Sequence, residues 1–211
     1  DHRDLHSFPT RRSSDLALLV SVFLLNSDRI QKAIEICSEC LILLNSANEN
    51  SKDIFIVLFR KMLFASYRKS GIMLQTLGEN IKAKECFERA LAIATEIGDR
   101  SGEASCYENL GAVFLSLWQY DKAREYLQRA LVITTEIGDR EGEANDYGNL
   151  GNLFMSLGQY HKAQEYFQKA LVIRAEIGDR KGEATDYINL GDLFQSLGQY
   201  DKAQEIGRAH V

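Results

Sequence analysis

Between residues 101 and 180 apolar positions recur at three- and four-residue steps, interrupted at regular places by glycine and aspartate. Ala104, Tyr107, Leu110, Gly111, Phe114 and Leu117 fall on one face of a predicted helix. Ala123, Leu127, Ala130, Leu131 and Ile133 do the same for a second helix. Between such helices, Gly158 and Gly198 suit a left-handed helix-ending position, and Asp121 or Asp201 is the expected N-cap of the next helix. The element "IGDR" repeats this logic: Gly98, Gly138 and Gly178 end one helix, and Asp99, Asp139 and Asp179 cap its successor. Helices joined by such short turns are antiparallel neighbours.

The pattern is a repeat. Residues 101–140 and 141–180 are identical at 26 of 40 positions, which fixes the register for comparing every other unit. A third copy, "YINLGDLFQSLGQYDKAQE", begins at Tyr187, an older one covers 76–100, and a diverged one covers 25–44. The expected organisation is a partial unit at 17–45, units at about 53–100, 101–140 and 141–180, and a partial unit at 181–205. Gly111 and Ala123 leave room for the two helices of one unit to approach, and Ala130 leaves room for the first helix of the next. One hairpin cannot bury its apolar face alone, so stability must come from stacking units into an all-α solenoid.

The unit resembles a tetratricopeptide repeat. The residues that carry the resemblance are Tyr107, Leu110, Gly111, Phe114, Ala123, Leu127 and Ala130, and again Tyr147, Leu150, Gly151, Phe154, Ala163, Phe167 and Ala170. Two departures are visible: the unit has 40 residues rather than the family's usual 34, and "IGDR" replaces the customary proline. In this it is similar to repeats of cell-polarity adaptors that bind extended peptides, and to arrays beside caspase-like or nucleotide-binding domains. The resemblance implies a right-handed superhelix of antiparallel helix pairs whose concave wall is built from first helices. On that wall Asn109, Asn149 and Asn189 form a ladder, joined by Ala112, Asn152 and Asp192 and, one turn on, by Ser116, Ser156 and Ser196. Asparagine offers donors and an acceptor, so a column of them can hold an extended peptide by its backbone. The alternative is that each Asn ties down an adjacent helix or faces water.

Composition changes little and excludes much. A formal charge of -5 without a basic stripe argues against nucleic acid. The apolar run Leu16–Leu25 is half of the roughly 20 residues a membrane span needs, so no membrane partner is expected. "CSEC", Cys37 and Cys40, has a metal-like spacing, but both fall in core slots of the repeat, and Cys86 and Cys106 are isolated. Packing is therefore set against metal or redox chemistry, with no cofactor and no metal expected. Unbridged thiols fit a reducing, cytoplasmic setting. His161 reads as a turn residue, and no catalytic set can be assembled, so no enzyme is expected. Glu103, Glu143 and Glu183 suit the first turn of a helix. Arg100, Arg140 and Arg180 either meet acidic ligand groups or are solvated linker charges. Trp118 stands where other units carry the turn glycine, and is either strained or an exposed apolar contact.

Both ends break the repeat. "DHRDLHSFPTRRSSDL" and the terminal "EIGRAHV" fit the codons of opposite short-read sequencing adapters. Residues 1–16 and 206–211 are therefore expected to be translated adapter, and the chain a fragment. The last unit would then keep only about a turn of its second helix, exposing an apolar face prone to self-association. The function expected is a non-catalytic scaffold holding a partner protein or peptide on the concave face. The alternatives are the regulatory sensor segment of a larger signalling enzyme or ATPase, and a self-assembling structural array.

Overall fold

A computed structural model describes residues 29–46 and 52–208. The readings of residues 1–16 and of the run Leu16–Leu25 lie outside the described residues, as do residues 209–211 of the C-terminal adapter reading. Among the described residues every element is an α-helix: α1 (Ile30–Ser46), α2 (Lys52–Thr76), α3 (Asn80–Ile97), α4 (Arg100–Ser116), α5 (Tyr120–Ile137), α6 (Arg140–Ser156), α7 (Tyr160–Ile177), α8 (Arg180–Ser196) and α9 (Tyr200–Arg208). The expected all-α class, with consecutive helices packed in pairs, is what the chain adopts. It divides into two compact units, through Gly102 and from Glu103 on.

In the first unit α1, α2 and α3 share a core of Ile30, Ile34, Cys37, Phe59, Met62, Leu63 and Ile93. The end of α3 shows how the linker works. Gly98 takes φ 69°, and the Asp99 N–H donates to Ala94 O at 2.9 Å, satisfying a carbonyl that the helix leaves open.

In the second unit the repeat register becomes contact. A Cβ placed on Gly111 would lie 2.6 Å from Leu127 Cδ2, and one on Gly151 would collide with the Phe167 ring, so the glycine of each first helix sets how closely its second helix approaches. Gly191 meets nothing within 4 Å, because position 207, where the pattern calls for Leu127 or Phe167, is itself glycine.

The caps obey the expectation at one turn and correct it at the other. Asp99, Asp139 and Asp179 each accept at Oδ1 from the N–H of Gly102, Gly142 and Gly182, all at 2.9 Å. Asp121 and Asp201, by contrast, are not caps. The second helices begin one residue earlier, at Tyr120 and Tyr200, which leaves both aspartates inside the first turn. The capping position before Tyr120 is Gln119, without a side-chain bond, and Asp121 pairs with Arg124 at 2.8 Å. α9 runs to Arg208, and its Ala203 and Ile206 pack on the cluster around Phe194, so the apolar face of α8 is partly covered.

Candidate functional site

α4, α6 and α8 carry the polar strip at positions three and four apart, all within the second unit. Asn109, Asn149 and Asn189 are half-buried; Asn152, Asp192, Ser116, Ser156 and Ser196 are exposed. The three asparagines are not equivalent. Asn109 Nδ2 donates to Ser105 O at 2.6 Å, within its own helix, whereas Asn149 and Asn189 make no side-chain hydrogen bond among the described residues. Each serine hydroxyl donates to the carbonyl four residues back: Ser116 to Ala112 and Ser156 to Asn152 at 3.0 Å, Ser196 to Asp192 at 2.8 Å. The serines therefore retain acceptor capacity, and the donors open to a ligand are the amides of Asn149 and Asn189.

Other candidates resolve more simply. Arg140 pairs with Glu143 at 2.6 Å and also with Glu176, and Arg180 reaches Glu183 at 3.4 Å, so these linker arginines are engaged within the chain. Cys37 is fully buried in the core. Burial, with Cys37 and Glu39 adding to it, pushes the Cys40 thiol up to about 11, which keeps it protonated and favours packing over thiolate chemistry. Among the described residues no group of three or more His, Cys, Asp or Glu is placed to hold a metal, and no helix is long and apolar enough to cross a membrane. His161 lies exposed in the first turn of α7. Trp118 is both strained and exposed, with φ 60° and 77% of its surface open.

The sequence reading missed a polar layer between successive repeats of the second unit. Thr134 Oγ1 lies 2.8 Å from Asp146 Oδ2, and Arg174 Nε donates to Asp186 Oδ2 at 2.8 Å. Both aspartates are buried. The guanidinium of Arg174 also reaches Asp179 at 2.7 Å and Asn145 at 2.8 Å. The signal was present in the repeat register: the columns Ala94, Thr134, Arg174 and Cys106, Asp146, Asp186 turn polar together.

Solved structures with the same fold are numerous. BtubC from P. vanneervenii matches at TM-score 0.66 and 22% identity, over 94% of this chain and 81% of that one. A signal transduction ATPase with numerous domains from Pyrococcus horikoshii, which has a tetratricopeptide repeat sensor, matches at TM-score 0.67 and 18% identity, over 93% of this chain but 29% of its own. A Rap conjugation gene regulator in complex with a Phr peptide matches at TM-score 0.64 and 18% identity, over 93% and 62%. No curated protein gives a sequence match. The tetratricopeptide repeat family model covers residues 62–136 and 142–210, and the chain belongs to that family.

Proposed function

We propose that the chain is a non-catalytic protein-interaction scaffold that holds a peptide segment of a partner along the strip of α4, α6 and α8. The observation that carries this reading is the pair Asn149 and Asn189: two half-exposed side-chain amides, 40 residues apart on equivalent helices, with no hydrogen bond to any of the described residues. Asn152, Asp192 and the acceptor oxygens of Ser116, Ser156 and Ser196 flank them. Asn109 contributes less, since its amide is already engaged with Ser105. The Rap regulator solved with a Phr peptide supports a peptide as ligand class. The four thiols support a reducing, cytoplasmic setting.

The test is quantitative capture of partners from source lysate by the full chain, compared with Asn149→Ala/Asn189→Ala and with Asn109→Ala. Two lost ligand hydrogen bonds, at about 1 kcal/mol each, lower recovery at least tenfold in the double variant. Asn109→Ala behaves close to the parent. Equal recovery by all three removes the strip from the account.

The similarity to the ATPase with a tetratricopeptide repeat sensor favours a second reading, in which this array senses a ligand for a catalytic domain encoded beside it. Sequencing the source locus beyond both ends separates the two.

A further inference from the structure

The turn between α4 and α5 departs from its siblings in a way the fold does not need. The equivalent turn positions are Gly78, Gly158 and Gly198, at φ 77°, 67° and 69°, and the fourth is Trp118, at φ 60°. It is the one non-glycine residue with positive φ among the described residues. Its backbone makes the same closing bond as the glycines, with its N–H on Leu115 O at 3.0 Å, so the turn forms without help from the indole. A bulky side chain is thus kept in the conformation it tolerates worst, and with most of its surface in water. The Tyr120 ring stands 6.2 Å away at 86°, so the two rings meet at a right angle. At the α8–α9 turn, where glycine replaces the indole, the corresponding residues 198–202 line an open recess of about 330 Å³.

We infer that Trp118 and Tyr120 form an aromatic docking point for a cationic side chain, arginine or lysine, of a partner segment, distinct from the asparagine strip. Charge selects the occupant. The unit from Glu103 on carries 11 Lys and Arg against 17 Asp and Glu, a formal -6, and this field draws cations to its surface. The electron-rich faces of Trp and Tyr then hold a guanidinium or ammonium directly. The same turn already shows this affinity within the chain: Lys122 Nζ sits 5.3 Å from the Phe114 ring centroid.

Trp118 is the sole tryptophan, so its emission reports this site alone. The full chain is titrated with a blocked pentapeptide bearing two arginines, and with its citrulline and leucine counterparts. Saturable quenching by the arginine peptide alone is expected, unchanged in Asn149→Ala/Asn189→Ala, which separates this site from the strip. Trp118→Gly, the residue used at the other turns, melts at a higher temperature and binds the arginine peptide about two- to fivefold more weakly by calorimetry. Equal response to the leucine peptide, an emission shift that follows protein concentration alone, or undiminished binding by Trp118→Gly overturns the inference.

Discussion

Two junctions of the second unit occupy the same repeat positions and solve the same problem with opposite chemistry. Where α5 meets α6, the layer is Thr134 against Asp146; where α7 meets α8, it is Arg174 against Asp186. Asp146 is fully buried, its Oδ1 has no hydrogen-bond partner among the described residues, and the charges acting on it, Glu108 and Asp139, are both acidic. Burial, reinforced by Glu108, pushes its carboxyl up to about 8 despite the bond from Thr134. Asp186 is as deeply buried, but Arg174 opposes the effect of burial and its carboxyl rises only to about 6. A neighbouring column changes in step: Glu108 in the first junction corresponds to Gly148 in the second, where a Cβ would lie 3.7 Å from Asp186 Oδ1. The glycine beside each layer does not change: a Cβ would crowd Thr134 and Asp139 at Gly142 and Arg174 and Asp179 at Gly182. One backbone geometry thus accepts a neutral acid or an ion pair, provided the residues around it change together.

The largest effect that separates the junctions is expected from Arg174→Met. It leaves Asp186 buried without its cation and removes the donor to Asp179 and Asn145, at a cost of about 3–5 kcal/mol. Because stability in a repeat array is a sum over neighbour interfaces, the loss is local: α8 and α9 lose hydrogen-exchange protection while α5 and α6 keep theirs. Uniform loss, or none, would break the distinction.

Next comes Asp146→Asn, read through pH. The folded pKa of about 8 stands above the unfolded 3.8, so the native state binds the extra proton between them and stability falls as pH rises through that window. The corresponding window for Asp186 closes near 6, so the slope between pH 6 and pH 8 belongs to Asp146 together with the Glu108 carboxyl that acts on it. Denaturant midpoints of the parent are expected to fall across pH 6 to 8, whereas those of Asp146→Asn stay level and lie higher at pH 8. A parallel fall in both proteins would show that Asp146 is ionised at neutral pH.

These two junctions also mark where sequence reasoning stops. The helices, the glycine approach at Gly111 and the caps at Asp139 and Asp179 follow from local rules that act within a few residues, and each was legible. Asp121 was misjudged because a cap depends on where the helix starts, and the capping position is Gln119, two residues earlier. The polar layer left a trace in two columns that turn polar together, but the pairing was not legible, because residues 12 apart become partners only once two helices pack and polarity there resembles surface until burial is known. The strip was legible as a pattern, but not the inequality within it: Ser105 O satisfies Asn109 through a rotamer choice that no spacing encodes.

The smallest expected effect concerns a single proton. Thr134 Oγ1 lies 3.1 Å from Leu131 O and 2.8 Å from Asp146 Oδ2, yet its hydroxyl has one hydrogen for two acceptors. With Asp146 neutral, the acid donates to Thr134, and Thr134 donates to Leu131, so both bonds are made. With Asp146 ionised, the hydroxyl must turn to the carboxylate, and Leu131 loses its bond. Thr134→Val should therefore cost about 1 kcal/mol at pH 6, where the neutral acid loses its acceptor while the Leu131 carbonyl keeps the backbone N–H bond of its helix. At pH 9 it should cost about 2 kcal/mol, because the donor removed is then the one that serves a buried charge. An equal cost at both pH values would mean that the carboxyl holds one protonation state throughout, and the contrast with Arg174 would then be one of packing alone.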